Sequence, residues 1–421
     1  MKPHYFIVAL VLCTFFVISF ITNLLAPIFP ALIDSYKIGL TLAGLFPFAF
    51  FIAYGVMSIP AGLLVQRIGE RKVMLIAFTI AFIGCVLFVW LPVFLVAMAA
   101  LFLIGTAMAF LQVAINPLLR AGGGSKHFAV FSVAAQLMFG AAAALSPLVY
   151  SAITQSSSSF SSQLMHLVPT NMSWLSMYVI FAVICLIMLI TVAIAPIKRL
   201  ENTAINKPVS IKQSIALLTD STVLKFFFAI VAYVALEQGV ANSISVFLQR
   251  YHQIDPSVQG AQVVSQFWLA LTLGCLLGIV LLKLFDAKTV LLGFSIGAGL
   301  SLLCGLFGST SIALLAFPCV GFFLSIMWSV IFSLALNSVS QNHGAVSGIL
   351  CTGIVGGAFA SPIVGGLSEL SGSLQLSLLI LLLPLGYIFS VGIWAAPLVK
   401  NHTFKFARKV SSNKKIQPHI H

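Results

Sequence analysis

Long apolar runs recur along the 421 residues, separated by short segments that carry glycine, proline and charge. A run of about 20 apolar residues crosses a hydrocarbon core of about 30 Å as a helix, whereas barrel strands are about half as long and alternate. The pattern predicts twelve helices, at 6–33, 41–65, 73–91, 94–119, 128–152, 174–196, 222–248, 262–284, 289–307, 311–337, 346–367 and 376–398. The first run continues past Pro27 and Pro30 without a small-residue cleavage pattern after a short apolar core. It therefore reads as a retained helix and not as a removed leader.

Composition agrees with this pattern. Hydrophobic residues make up 61% and charged residues 7%, and mean hydropathy is +1.14, far from a soluble globular chain with about 25% charged residues. The fold class expected is an all-α integral membrane protein. With both termini placed in the cytoplasm of a cell with an inner membrane, nineteen of the 21 lysines and arginines fall inside and only Lys37 and Arg250 outside, as the positive-inside rule requires. The net charge of +13 then belongs to loops facing an anionic leaflet, and no soluble basic domain exists to bind nucleic acid. The seven cysteines fall singly inside apolar runs with no CxxC spacing, so they read as small hydrophobes, with no disulfide or zinc framework. No cofactor is indicated.

The chain repeats itself. GLLVQRIGERKV begins at Gly62 and GIVLLKLFDAKT at Gly278, so a shift of 216 residues sets glycine on glycine, Arg67 on Lys283, Glu70 on Asp286 and Lys72 on Lys288. The expected organisation is a six-helix bundle over 1–196, a cytoplasmic linker over 197–221, a second six-helix bundle over 222–398 and a basic cytoplasmic tail over 399–421. Two six-helix halves in parallel relation suit a pathway that opens alternately to either side of a midplane site.

The segment from Gly62, with Arg67, Gly69, Arg71 and Lys72, resembles the gating loop between helices 2 and 3 of the major facilitator superfamily, although Gln66 stands where that loop usually has an aspartate. IPAGLLVQRIG (59–69), LQVAINPLLRAGGG (111–124), YVALEQGVANSISVFL (233–248) and GFFLSIMWSVIFSLALNSV (321–339) resemble a narrower group, the L-fucose permease-like sugar symporters. The resemblance implies twelve helices in two pseudo-symmetric bundles and sugar transport by alternating access. It also implies carboxylates on helices 1 and 4, at the positions held here by Asn23 and Gln112.

Ionisable groups inside a membrane usually face the bundle interior and mark a pathway. Of eight acidic residues only Glu237 lies near the middle of a predicted helix. It is the candidate proton-coupling residue; direct solute contact and helix-to-helix bonding are the competing readings. No basic residue lies deep in any run, which disfavours an organic anion and favours a neutral, hydroxyl-rich solute held by amides and aromatic faces. The candidate binding residues are Asn23, Gln112, Asn116, Gln136, Glu237, Asn242 and Trp328, with Gln266 and Trp268 as further members. Gln112 and Asn116 are four apart and share a helix face, and Pro117 frees a carbonyl one turn back, so a kink is expected there.

The expected function is a secondary active or facilitative transporter of a neutral monosaccharide, not an enzyme. It is expected to work as a monomer with membrane lipid and a small solute as partners. Symport through Glu237, uniport, or carriage of another neutral solute are open at this stage, and proton-driven efflux of small hydrophobic compounds is the alternative. GFSIG at 293–297 has the form of a hydrolase elbow but lies inside an apolar run, where it reads as small-residue packing.

Overall fold

The structure is a computed structural model that describes residues 5–123, 128–155, 158–195, 220–339 and 343–397. Among the described residues twelve helices are long and apolar enough to cross a membrane: Tyr5–Tyr36, Leu40–Val65, Glu70–Trp90, Phe94–Ile115, Ala134–Gln155, Ser173–Ile194, Ser221–His252, Pro256–Leu282, Ala287–Phe307, Thr310–Asn337, Gly348–Ser371 and Leu374–Trp394. They are numbered below as spans one to twelve. Spans alternate in direction, so Tyr5 and Trp394 mark one end of the molecule, the terminal end, and Tyr36 and Ser371 mark the distal end.

The spans match the sequence pattern, with two differences. Span seven runs on to His252, so His252 closes a helix and meets Thr310 Oγ1 at 3.0 Å. The segment that the pattern leaves between the helices 128–152 and 174–196 carries a short helix of its own, Ser159–His166, because Ser158 Oγ accepts the Ser161 N–H at 3.2 Å as a helix cap. The expected linker, up to residue 219, and the expected tail lie outside the described residues.

Between lipid-solvated helices no hydrophobic force drives association, so packing and hydrogen bonds must hold them, each bond contributing roughly 0.6 kcal/mol on average. Spans one and five show this directly. Ser19 Oγ donates to the Phe139 carbonyl at 2.6 Å and Ser146 Oγ to the Phe20 carbonyl at 2.8 Å.

The first six and last six spans meet at the distal end. A Cβ on Gly44 would lie 2.5 Å from Pro362 N, and one on Gly365 would lie 2.5 Å from the Leu40 carbonyl oxygen, so spans two and eleven touch main chain to main chain. Glu369 then reaches across: Oε1 accepts the Thr41 N–H at 3.0 Å and Oε2 accepts the Thr41 hydroxyl at 2.6 Å. The helix starting at Leu40 has Gly39 as its N-cap and no side-chain cap of its own, so a carboxylate from the other half satisfies one of its free N–H groups. Gln155 Nε2 donates to Ser257 Oγ at 2.9 Å. The same serine donates its hydroxyl and its N–H to Asp255 Oδ1 at 2.7 and 2.8 Å, which holds the Asp255 carboxyl below the usual aspartate range.

Candidate functional site

Span one breaks in its middle, at Asn23 and Leu24, between the helices Tyr5–Thr22 and Leu25–Tyr36. Pro27 explains the position. It has no N–H to give the carbonyl of Asn23 four residues back, and its ring crowds that same carbonyl. The Asn23 side chain is buried at the break. Its Nδ2 donates to the Ser19 carbonyl and to Ser19 Oγ, both at 3.0 Å, while Oδ1 is buried with no hydrogen-bond partner. A buried acceptor without a partner is uncommon in a folded protein.

Span seven carries the corresponding feature of the last six spans. Among the described residues Glu237 is the acidic side chain at the middle of a span. It is half-buried, and Oε1 accepts the Tyr233 hydroxyl at 2.6 Å from one turn back. The Tyr233 ring lies 6.0 Å from Trp328 of span ten, and Trp328 stacks on Phe332 at 6.0 Å. Span ten breaks at Ser325 and Ile326, one turn before Trp328. Cys275 of span eight donates its thiol to the Ser325 carbonyl at 3.1 Å, so it does more than fill space. Ser325 Oγ itself is buried without a partner.

The other candidates separate into distinct groups. Gln136 is exposed, yet it lies four residues before Gly140, where a Cβ would strike Thr272 of span eight. It therefore shares the interior-facing side of span five. Gln112 is half-buried on span four. The helix Phe94–Gly123 runs on through residues 116 and 117, and the side chains of Asn116 and Pro117, with any kink they produce, lie outside the described residues. Asn242 is fully buried and donates Nδ2 to Ser361 Oγ of span eleven at 3.2 Å, a helix-to-helix bond and not an open solute contact. Gln266 corrects the sequence expectation: it lies on the exposed stripe of span eight with Gln262, Leu269, Leu273 and Val280, which is the outward face. Trp268 is buried, with Nε1 unpartnered.

The loop after span two also has a clear structural role. Gly69 ends the helix Leu45–Ile68 with φ 86° and ψ 160°, a backbone conformation that favours glycine. Gly62 has only Val113 Cγ1, 4.0 Å away, near its Cβ position. Arg67 and Lys72 are exposed. Arg71 Nε donates to the Val192 carbonyl at 3.3 Å and its NH2 group to Ala193. In the second repeat Lys288 Nζ donates to the Ile393 and Ala395 carbonyls at 2.9 and 2.7 Å. Arg71 and Lys288 thus perform the same task, each satisfying the last carbonyls of its own half, span six or span twelve. The repeat that the sequence aligns as Lys72 with Lys288 is offset by one residue in function.

Ser19, which holds Asn23, Tyr233, which holds Glu237, and Cys275, which bonds the Ser325 carbonyl, were not among the sequence candidates. Among the described residues no group of three His, Cys, Asp or Glu side chains is placed to hold a metal ion.

Comparison with known proteins places these features in context. The family model described as Major Facilitator Superfamily matches residues 11–362. The glucose/galactose transporter of Brucella abortus biovar 1 (strain 9-941) is 27% identical over 397 residues, covering 90% of this chain and 91% of the relative. The L-fucose-proton symporter of Escherichia coli (strain K12) is 23% identical over 402 residues, with 90% and 91% covered. A crystal structure of the E. coli fucose:proton symporter superposes with a TM-score of 0.66 at 21% identity, covering 92% of this chain and 98% of that one.

Proposed function

The chain belongs to the Major Facilitator Superfamily, and from that premise we propose that it carries a neutral monosaccharide together with a proton, with Glu237 as the proton site. The substrate class follows its relatives, named for glucose, galactose and L-fucose transport. The observation that carries the reading is the group at the middle of spans seven and ten. The mid-span carboxylate of Glu237 accepts the Tyr233 hydroxyl, the Tyr233 ring lies against Trp328, and Trp328 in turn stacks on Phe332. Aromatic rings cover the apolar face of a sugar, and a carboxylate and amides meet its hydroxyls. Asn23, with its free Oδ1, and Gln136 supply amides from the first six spans.

The two halves, 1–196 and 222–398, rock about this level, and the packed distal end is the closed gate of one state. The terminal end is cytoplasmic, following the distribution of lysine and arginine. Gln112 binds solute on span four, and Asn242 supports span seven through span eleven.

The test is uptake of labelled monosaccharides into proteoliposomes with and without an inward proton gradient. Gradient-driven accumulation of at least one neutral sugar, lost in Glu237→Gln while exchange persists, is the expected result. No uptake of any neutral sugar would overturn the substrate class. Accumulation unchanged in Glu237→Gln would remove Glu237 from coupling.

A further inference from the structure

Spans seven, eleven and twelve enclose an apolar groove of about 410 Å³ on the outer surface of the molecule, lined by Phe228, Ala232, Phe359, Ile363, Leu381 and Tyr387 among others. Phe228, Phe359 and Ile363 are 50%, 44% and 49% exposed, so the groove opens outward and away from the candidate solute site. In a chain with twelve membrane spans this side meets the acyl chains.

The groove also has a defined depth. Its wall on span seven runs from Phe228 to Ala235, seven residues or about 10 Å at 1.5 Å per residue. On span twelve, Tyr387 lies seven residues before the end of the helix at Trp394, again about 10 Å from the terminal end. On span twelve the lining continues to Ile380, fourteen residues from Trp394, so the groove starts about 10 Å from the terminal end and reaches to about 21 Å, the middle of a core about 30 Å thick.

The groove's terminal mouth is polar and basic. Lys225 precedes Phe228 by three residues and so stands on the same helix face, one turn closer to the surface. The Tyr387 hydroxyl, at the lower wall of the groove, donates to the Lys225 carbonyl at 3.1 Å. Lys225 Nζ sits over the Trp394 ring, 5.7 Å from its centroid, and Trp394 Nε1 donates to Ser390 Oγ at 3.2 Å. Trp394, Lys225 and the Tyr387 hydroxyl come together at this mouth, the residue types of an interfacial belt, where headgroups lie. Asp220, the nearest acid in sequence on that helix, is occupied as a cap: Oδ1 accepts the N–H groups of Thr222 and Val223 at 2.7 and 3.1 Å. Asp220 does not form an ion pair with Lys225 among the described residues, so the ammonium is available to an anion from the leaflet.

We propose that this groove is a binding site for an anionic glycerophospholipid of the terminal-side leaflet, one acyl chain lying along Phe228, Ala232, Phe359 and Leu381 and the phosphate meeting Lys225. Apolar walls reaching to mid-depth and a basic mouth at the terminal end fit that lipid together. A zwitterionic lipid would fill the groove but gain less from Lys225.

The test uses the full-length protein in detergent micelles, titrated with phosphatidylglycerol or phosphatidylcholine of the same acyl chains, with bound lipid counted by native mass spectrometry. Phosphatidylglycerol is expected to be retained about fivefold more strongly, the factor that one lysine near an anionic headgroup supplies. Lys225→Gln should erase this preference while lipid of either kind still binds, and Ala232→Trp, which fills the groove, should reduce retention of both. Equal retention of the two lipids by the unaltered protein would overturn the proposal. So would a preference that survives Lys225→Gln, or retention unchanged in Ala232→Trp. The readout does not involve transport, so it stands or falls apart from the sugar assignment.

Discussion

The Tyr233 hydroxyl donates to Glu237 Oε1 at 2.6 Å, from one turn earlier on the same helix. A bond to a carboxylate contributes about 1.5–3 kcal/mol, and here it also fixes where the carboxylate points. Tyr233→Phe is therefore expected to lower proton-driven sugar accumulation by about tenfold, with sugar exchange at equal pH persisting. Accumulation at the unaltered level in Tyr233→Phe would show that the hydroxyl does not position Glu237 for coupling.

Asn23 makes a contrasting case. Its two donor bonds run to its own neighbour Ser19, and its acceptor is unpartnered. Asn23→Ala should weaken sugar binding by about tenfold, the worth of one hydrogen bond to the solute, while the unfolding temperature in detergent shifts little. Intact affinity with a large fall in unfolding temperature would make Asn23 a structural bond and remove it from the solute site.

Glu369 and Thr41 join the two halves at an exposed position, so their bonds are partly screened by solvent. Glu369→Ala should open the distal end more often, read as labelling of Ser243→Cys by a membrane-impermeant maleimide from the distal side. About a fivefold faster rate is expected once exposure is allowed for. An unchanged rate would mean that main-chain packing alone keeps the gate shut.

That packing can be tested by itself. A Cβ on Gly44 would sit 2.5 Å from Pro362 N, and forced overpacking typically costs about 1–3 kcal/mol. Gly44→Ala is expected to slow turnover by about tenfold and to keep solute binding from the distal side. Normal turnover would show that spans two and eleven separate further than the closed state implies.

The spans were legible in the sequence because twenty-residue apolar runs have almost no other structural meaning. Glu237 was legible for a related reason: a carboxylate in such a run stands out. Tyr233 was not, since a tyrosine in an apolar helix reads as packing; its spacing of four from Glu237 was the available signal. The break at Asn23 follows from Pro27 four residues on, but only when proline is read backward along the helix. Gln266 was misplaced because an amide in a span does not declare which side it faces. The exposed series Gln262, Gln266, Leu269 and Leu273 does, and that series becomes meaningful only once the neighbours of span eight are known. The offset between Arg71 and Lys288 lay beyond any alignment, because both reach carbonyls more than a hundred residues away along the chain.

In the proposed transport cycle the distal gate closes by glycine against main chain, Gly44 on Pro362 and Gly365 on Leu40. Main chain has the same shape whatever the neighbouring side chains are, so such a gate is indifferent to the cargo. A lineage with this device could exchange one solute for another by altering the few groups at mid-depth and leave the door itself untouched. Recognition and closure are thus separate inheritances within one chain.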